Sequence, residues 1–158
     1  MRPFVAIAVV VVAMAACDTT RVYEEIVDFD KRQWLASDIE AFEFVVPDTQ
    51  NHYNIYADIR NAVSYPYARL FFTYELTDSV GSSLHRELKS EYLFDAKTGK
   101  PFGKSGIGDL YDHRFPLLSN HQFNYAGKHR ITLEQFMRVD TLQGVLAVGI
   151  RVERAKNN

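Results

Sequence analysis

Three stretches of this chain alternate apolar and polar residues with a period of two, and that period limits what the chain can fold into. From Tyr53 to Arg60, Tyr53, Ile55, Ala57 and Ile59 fall on one side, and Asn54, Tyr56, Asp58 and Arg60 on the other. From Ala68 to Leu76, Leu70, Phe72, Tyr74 and Leu76 oppose Arg69, Phe71, Thr73 and Glu75. From Val145 to Glu153, Leu146, Val148, Ile150 and Val152 read as inward, Arg151 and Glu153 as outward. Phe42, Phe44 and Val46 repeat the pattern before Pro47-Asp48 ends it. Successive strand side chains point to opposite faces, so these are strands with one face in a core and one in water.

Weaker runs extend the series. Leu84 to Phe94 reads as a less regular strand, Tyr111 to Leu118 and His121 to Tyr125 as short ones, and Lys128 to Leu133 carries Ile131 and Leu133. Turn formers separate them at Pro47-Asp48, Asn61 to Pro66, Asp78 to Ser83, Asn120, Gly127 and Gly144. Roughly seven or eight half-buried antiparallel strands need two sheets facing each other. The expectation is an all-β, antiparallel two-sheet β-sandwich, jelly-roll-like or immunoglobulin-like. A helical turn is expected near Leu133 to Val139, where alternation breaks. The 11 Phe, 9 Tyr and 1 Trp suit a β-rich core.

The single cysteine, Cys17, follows Arg2, an apolar run from Phe4 to Ala16, and the pair Ala15-Ala16. A positive start, an apolar core and small residues before the cut describe a secretory signal peptide. A cysteine directly after the cut describes a lipoprotein. A membrane-spanning helix needs about 20 apolar residues, and Asp18-Thr19-Thr20-Arg21 ends this run too early. An ordinary signal peptide needs no cysteine there, and a free thiol in an exported chain is otherwise awkward. Residues 1–16 are thus expected to be cleaved, and Cys17 to carry an S-diacylglycerol and an N-acyl lipid. Several acyl chains anchor firmly, at about 0.8 kcal/mol per buried methylene. Residues 17–38 read as lipidated tether and lead-in, 39–154 as the sandwich, and 155–158 as a tail. No cysteine remains for a disulfide, so packing alone must hold the fold.

The formal net charge is -2 and the pI about 6.2, with no basic run, which gives no footprint for nucleic acid. Gly103-Lys104-Ser105 imitates the end of a phosphate-binding loop, but Thr98 stands where the earlier glycine belongs. The five histidines form no HExxH. His113 with Asp109 and Asp112 could bind a divalent ion; exposed loop residues are the simpler reading. No GxSxG is present, no catalytic or metal site is assigned, and no cofactor beyond the lipid is expected. Tyr65-Pro66-Tyr67 is the sharpest aromatic cluster, readable as a stacking platform for a sugar or partner, or as a strand-entry turn packed on the sandwich edge. Asp95 to Asp109 is the longest irregular stretch and holds four glycines; loops of that length in compact domains are often functional. Tyr65, Pro66, Tyr67, Gly106, Gly108 and Asp109 are therefore the candidate interaction surface.

An ordered set of short segments carries a resemblance: Cys17-Asp18, Arg21-Val22-Tyr23-Glu24, Trp34, Asn54-Ile55-Tyr56, Ile59-Arg60-Asn61, Tyr65-Pro66-Tyr67-Ala68-Arg69-Leu70, Gly106-Ile107-Gly108-Asp109, Gln135-Phe136-Met137-Arg138 and Val148 to Glu153. Together they resemble the gliding motility lipoprotein GldH family of the Bacteroidota across nearly the whole mature chain. Pro101-Phe102-Gly103 departs from that family's Trp-Leu-Gly approach to the glycine-rich loop. The resemblance implies an envelope lipoprotein of the gliding machinery, linked to type IX secretion and without catalysis. Its implied partners are the membrane, through Cys17, and other gliding or secretion proteins. The lack of an acidic cluster after Cys17 points to the periplasmic face of the outer membrane. The alternative is a carbohydrate-binding sandwich that reads glycan through Tyr56, Tyr65 and Tyr67.

Overall fold

The computed structural model of the protein describes residues 18–156. The signal segment expected over 1–16 and Cys17 itself lie outside the described residues, as do 157 and 158. The strands are β1 Arg21–Asp28, β2 Gln33–Leu35, β3 Glu40–Val46, β4 Tyr53–Ala62, β5 Arg69–Thr77, β6 Ser83–Tyr92, β7 Lys104–Ser105, β8 Leu110–His121, β9 Gly127–Gln135, β10 Thr141–Gln143 and β11 Val145–Arg154. A 3-10 turn, Asp30–Arg32, leads into β2.

All pairings are antiparallel. One sheet runs β1-β11-β4-β8-β7 and the other β3-β9-β5-β6, while β2 and β10 form a two-stranded flap. Setting aside the short strands β2, β7 and β10, eight long strands remain. In chain order they run first, eighth, third, sixth in one sheet, and second, seventh, fourth, fifth in the other. That is the connectivity of an eight-stranded jelly roll. Of the two architectures the periodicity allowed, the chain adopts this one.

The alternating runs meet in one core. Ile55, Ala57 and Ile59 of β4, Phe72, Tyr74 and Leu76 of β5, and Val148, Ile150 and Val152 of β11 are buried together with Phe42, Phe44, Ile131 and Leu133. Each large apolar side chain removed from water contributes about 1.5–3 kcal/mol. Trp34 on β2 is fully buried, stacks on Phe29 at 5.6 Å, and donates its indole N–H to the Asp38 carbonyl at 2.8 Å. The segment read as lead-in thus supplies an edge strand, a turn and part of the core.

The structure corrects three local expectations. A register shift between Val145 and Ala147 places Val145 in the core and leaves Leu146 only half-buried. The helical turn near Leu133 to Val139 is absent. There β9 runs to Gln135, whose side chain donates to the Val139 carbonyl at 2.7 Å and accepts from the Met137 N–H at 2.9 Å, bonds that a helical turn would have supplied from the backbone. The short run at 111–118 belongs to a longer, twelve-residue strand, β8, that ends at His121, and the run expected at 121–125 is a connection rather than a strand, in which Phe123 turns into the core.

The irregular pattern of β6 has a geometric cause. Leu70, Phe72, Tyr74 and Leu76 lie opposite Glu91, Lys89, Glu87 and His85. Directly opposed residues share a face, so β6 turns its polar residues to the inner side and Leu88 and Tyr92 to the outer. Inward-pointing charge on an edge strand discourages further strand pairing. Pro116 does the same for the open edge of β8.

Candidate functional site

Strand register decides which loops share an end. Arg21 pairs with Glu153, Tyr53 with Arg154 and His121, Val46 with Gly127, and Thr77 with Arg130. Residues 18–20 and the connections 47–52, 78–82 and 122–126 therefore lie together at an entry end. At the far end Asp28 pairs with Ala147, Glu40 with Leu133, Ala62 with Leu110 and Arg69 with Tyr92. That gathers 29–39, 63–68, 93–109 and 136–144, all but 63–68 longer than any connection at the entry end. All six candidate surface residues fall at this far end.

Backbone hydrogen bonds join their two clusters. The Val63 N–H donates to the Asp109 carbonyl at 2.9 Å, and the Ala62 N–H to the Gly144 carbonyl at 2.8 Å. Gly144 has φ +82°, and a Cβ there would meet the Tyr65 Cα at 2.8 Å, so only glycine lets the two segments touch. Tyr65 is 5% exposed. Its ring stacks on Phe94 and meets Tyr67 edge-on, with centroids 6.4 and 5.8 Å apart, and its hydroxyl donates to the Arg69 carbonyl at 3.1 Å. Burial pushes its phenol pKa up. Tyr65 is thus part of the wall of the far end, while Pro66 and Tyr67 are exposed.

The glycine-rich stretch closes as a hairpin. β7 pairs with β8, the Gly106 N–H donates to the Leu110 carbonyl at 2.8 Å, and Gly108 and Asp109 adopt φ +78° and +56°. Ile107 at the tip is 97% exposed, and Phe102, Val63 and Phe136 are also exposed around the same end. Sequence reasoning misses Phe102 and Ile107 as surface residues. Their signal is a large apolar residue inside a glycine-rich loop, where no strand can bury it.

An open recess of about 540 Å³ lies along β8 and β4, bordered by Ile26, Arg60, Tyr92, Phe102, His113 and Phe115. His113 Nε2 lies 2.9 Å from Asn61 Oδ1, and burial lowers the pKa of its ring. Asp112 instead accepts from Arg60 Nε at 2.8 Å, and Asp109 sits on the exposed hairpin. The three residues weighed as metal ligands thus diverge, and no group of three or more His, Cys, Asp or Glu is placed to hold a metal among the described residues. Gly103-Lys104-Ser105 leads into and forms the edge strand β7, without the helix that a phosphate loop requires.

The outer face of the five-stranded sheet carries a ladder of opposite charges. Arg114 of β8 makes two hydrogen bonds to Asp58 of β4, at 2.6 and 2.8 Å, and reaches Glu24 of β1 at 2.9 Å. Arg151 of β11, its side chain 9% exposed, binds Glu24 at 3.2 Å, Glu153 at 3.0 Å, and the carboxylate of Asp18. The Thr20 hydroxyl and Arg151 hold the Asp18 pKa down at about 2. Sequence reasoning places Asp58, Arg60, Arg151 and Glu153 outward but does not pair them; pairing needs the strand order.

Fold and surface define an all-β jelly-roll module with a charge-laced outer face and exposed apolar residues at its far end. The chain belongs to the GldH lipoprotein family, whose profile matches residues 21–152. It is 27% identical, over 93% of this chain and 92% of the relative, to "Gliding motility lipoprotein GldH homolog" of Christiangramia forsetii. It is 24% identical, over 90% of this chain and 91% of the relative, to "Gliding motility lipoprotein GldH" of Flavobacterium johnsoniae. Among solved structures, the VP2 subviral particle of infectious bursal disease virus aligns with 96% of this chain and 37% of the viral chain, at 12% identity and a TM-score of 0.37.

Proposed function

We propose that the protein is a membrane-anchored component of the gliding motility machinery that acts through protein–protein contacts rather than by catalysis. In this reading Cys17 carries the lipid, and the domain stands on the periplasmic face of the outer membrane, serving motility and the linked type IX secretion. The observation that carries it is the family match over 21–152, which spans the jelly roll almost end to end. The far end supports it, because Tyr67, Phe102 and Ile107 offer separate apolar contacts on a braced frame, and apolar anchors on rigid supports suit protein interfaces.

Deletion of the protein tests this reading. Loss of surface spreading, restored by the wild-type chain and not by Cys17→Ala, is the expected result. Normal spreading and normal secretion in the deletion strain refute it.

A further inference from the structure

The chain becomes ordered sheet structure with almost no spacer after Cys17. The Asp18 carboxylate accepts from the Thr20 hydroxyl at 2.6 Å and from the Thr20 N–H at 3.2 Å, and it pairs with Arg151. The Thr20 carbonyl accepts from the Arg154 N–H at 2.8 Å, and β1 starts at Arg21. A flexible linker would let the domain wander by about 5–6 Å times the square root of its length. Here one peptide unit, about 3.8 Å between Cα atoms, separates Cys17 from a residue tied to the sheet.

The two ends also differ in chemistry. The entry-end connections 47–52, 78–82 and 122–126 contain no Lys or Arg of their own, the basic residues of that end being Arg21, Lys128, Arg130 and Arg154 at the strand termini and Lys156 beyond them, and the carboxylates of the connections are Asp48 and Asp78. Both are turned back on their own loops. Asp48 accepts the Gln50 and Asn51 N–H groups at 3.1 and 2.8 Å, and Asp78 accepts those of Val80 and Ser82 at 3.0 and 2.7 Å. What stands out at the tips is Val80, 83% exposed, and Tyr125. Tyrosine is favoured at the level of lipid headgroups. The far-end connections, in contrast, carry Asp30, Lys31, Arg32, Lys97, Lys100 and Arg138 among others.

We propose that the entry end is a bilayer-resting face: the Asp18–Arg151 clamp holds the domain upright, Val80 and Tyr125 touch the headgroup layer, and the far end points away from the lipid. The proposal rests on the reading of Cys17 as the lipid site. The ten-residue strand β4, at about 3.3 Å per residue, puts the far end roughly 30 Å from the bilayer.

The test uses full-length lipidated protein in phosphatidylethanolamine–phosphatidylglycerol vesicles doped with a headgroup spin-labelled lipid. Cysteines placed singly at Val80, Tyr125, Phe102 and Ile107 carry a fluorophore. Strong loss of fluorescence at 80 and 125, with none at 102 and 107, is the expected pattern. Equal quenching at both ends, or the reverse, on vesicles that float with their protein overturns the orientation. Failure to float overturns the lipid reading itself and removes the basis of the orientation. Asp18→Asn leaves Glu24 and Glu153 on Arg151 and keeps the fold intact, as circular dichroism will check. It should flatten the contrast between the two ends, and an unchanged contrast shows that the clamp does not set the orientation.

Discussion

At the scale of single residues, Arg151 concentrates the electrostatics of the outer face. Its guanidinium serves Glu24, Glu153 and Asp18 while nearly buried. Exposed ion pairs give at most about 1 kcal/mol, but removing one partner of a buried network leaves the others uncompensated. Arg151→Ala should therefore lower stability by about 1–3 kcal/mol, read as a shift in the urea midpoint with an unchanged slope. The same network fixes an acid limit. Asp18 is held at about 2, against an ordinary value of 3.8. Burial pushes Glu24 up, but hydrogen bonds from Arg21 and Arg151 outweigh it and leave the group below 4.5. Carboxylates lowered by folding stabilise fully above their unfolded values and lose that contribution as pH falls through the folded ones. Stability should thus decline as pH drops below 4.5 toward 2, and Asp18→Asn should blunt the lower part of that decline in pH-dependent unfolding. Gly144 makes a separate claim. Gly144→Ala meets both a left-handed φ and the Tyr65 backbone, so it should cost about 1–3 kcal/mol and broaden the NMR signals of Tyr65 and Tyr67.

At the scale of elements, legibility followed burial. β4, β5 and most of β11 were readable because each places a regular apolar row in the core. β1 was not, because as an edge strand it alternates weakly and most of its side chains stay partly wet. β6 was read as irregular because its polar row faces inward at an open edge, a feature of its place in the sheet rather than of its own composition. The bulge that exchanges Leu146 for Val145 cannot be seen without the partner strand β4. The candidate surface was half legible. The proline and glycines marked the right loops, but the burial of Tyr65 depends on Phe94 and Gly144, which are distant in sequence. A prediction belongs to β6 itself. Replacing Glu87 and Lys89 together by valine removes the inward charge that guards the edge and should promote self-association, seen as a rise in sedimentation coefficient with concentration. A monomer at all concentrations would show that the edge is protected by something else.

At the scale of the whole molecule, the jelly roll sorts its connections by end. The short, charge-poor ones lie with the chain entry, and the longest ones lie opposite, at the end that carries Tyr67, Phe102 and Ile107. Neither end was legible as such, because strand order decides which loops are neighbours. The division suits a protein that is anchored at one end and engages partners at the other. The most direct measurement is site-specific photocrosslinking in the native envelope, with the photoreactive residue at Tyr67, Phe102 or Ile107 and, for comparison, at Val80 or Tyr125. The expected result is reproducible protein adducts from the far-end positions, identified by mass spectrometry as motility or secretion components and lost when Cys17 is replaced by alanine. Protein adducts only from the entry-end positions, or none from the far end in cells that still glide, would contradict it.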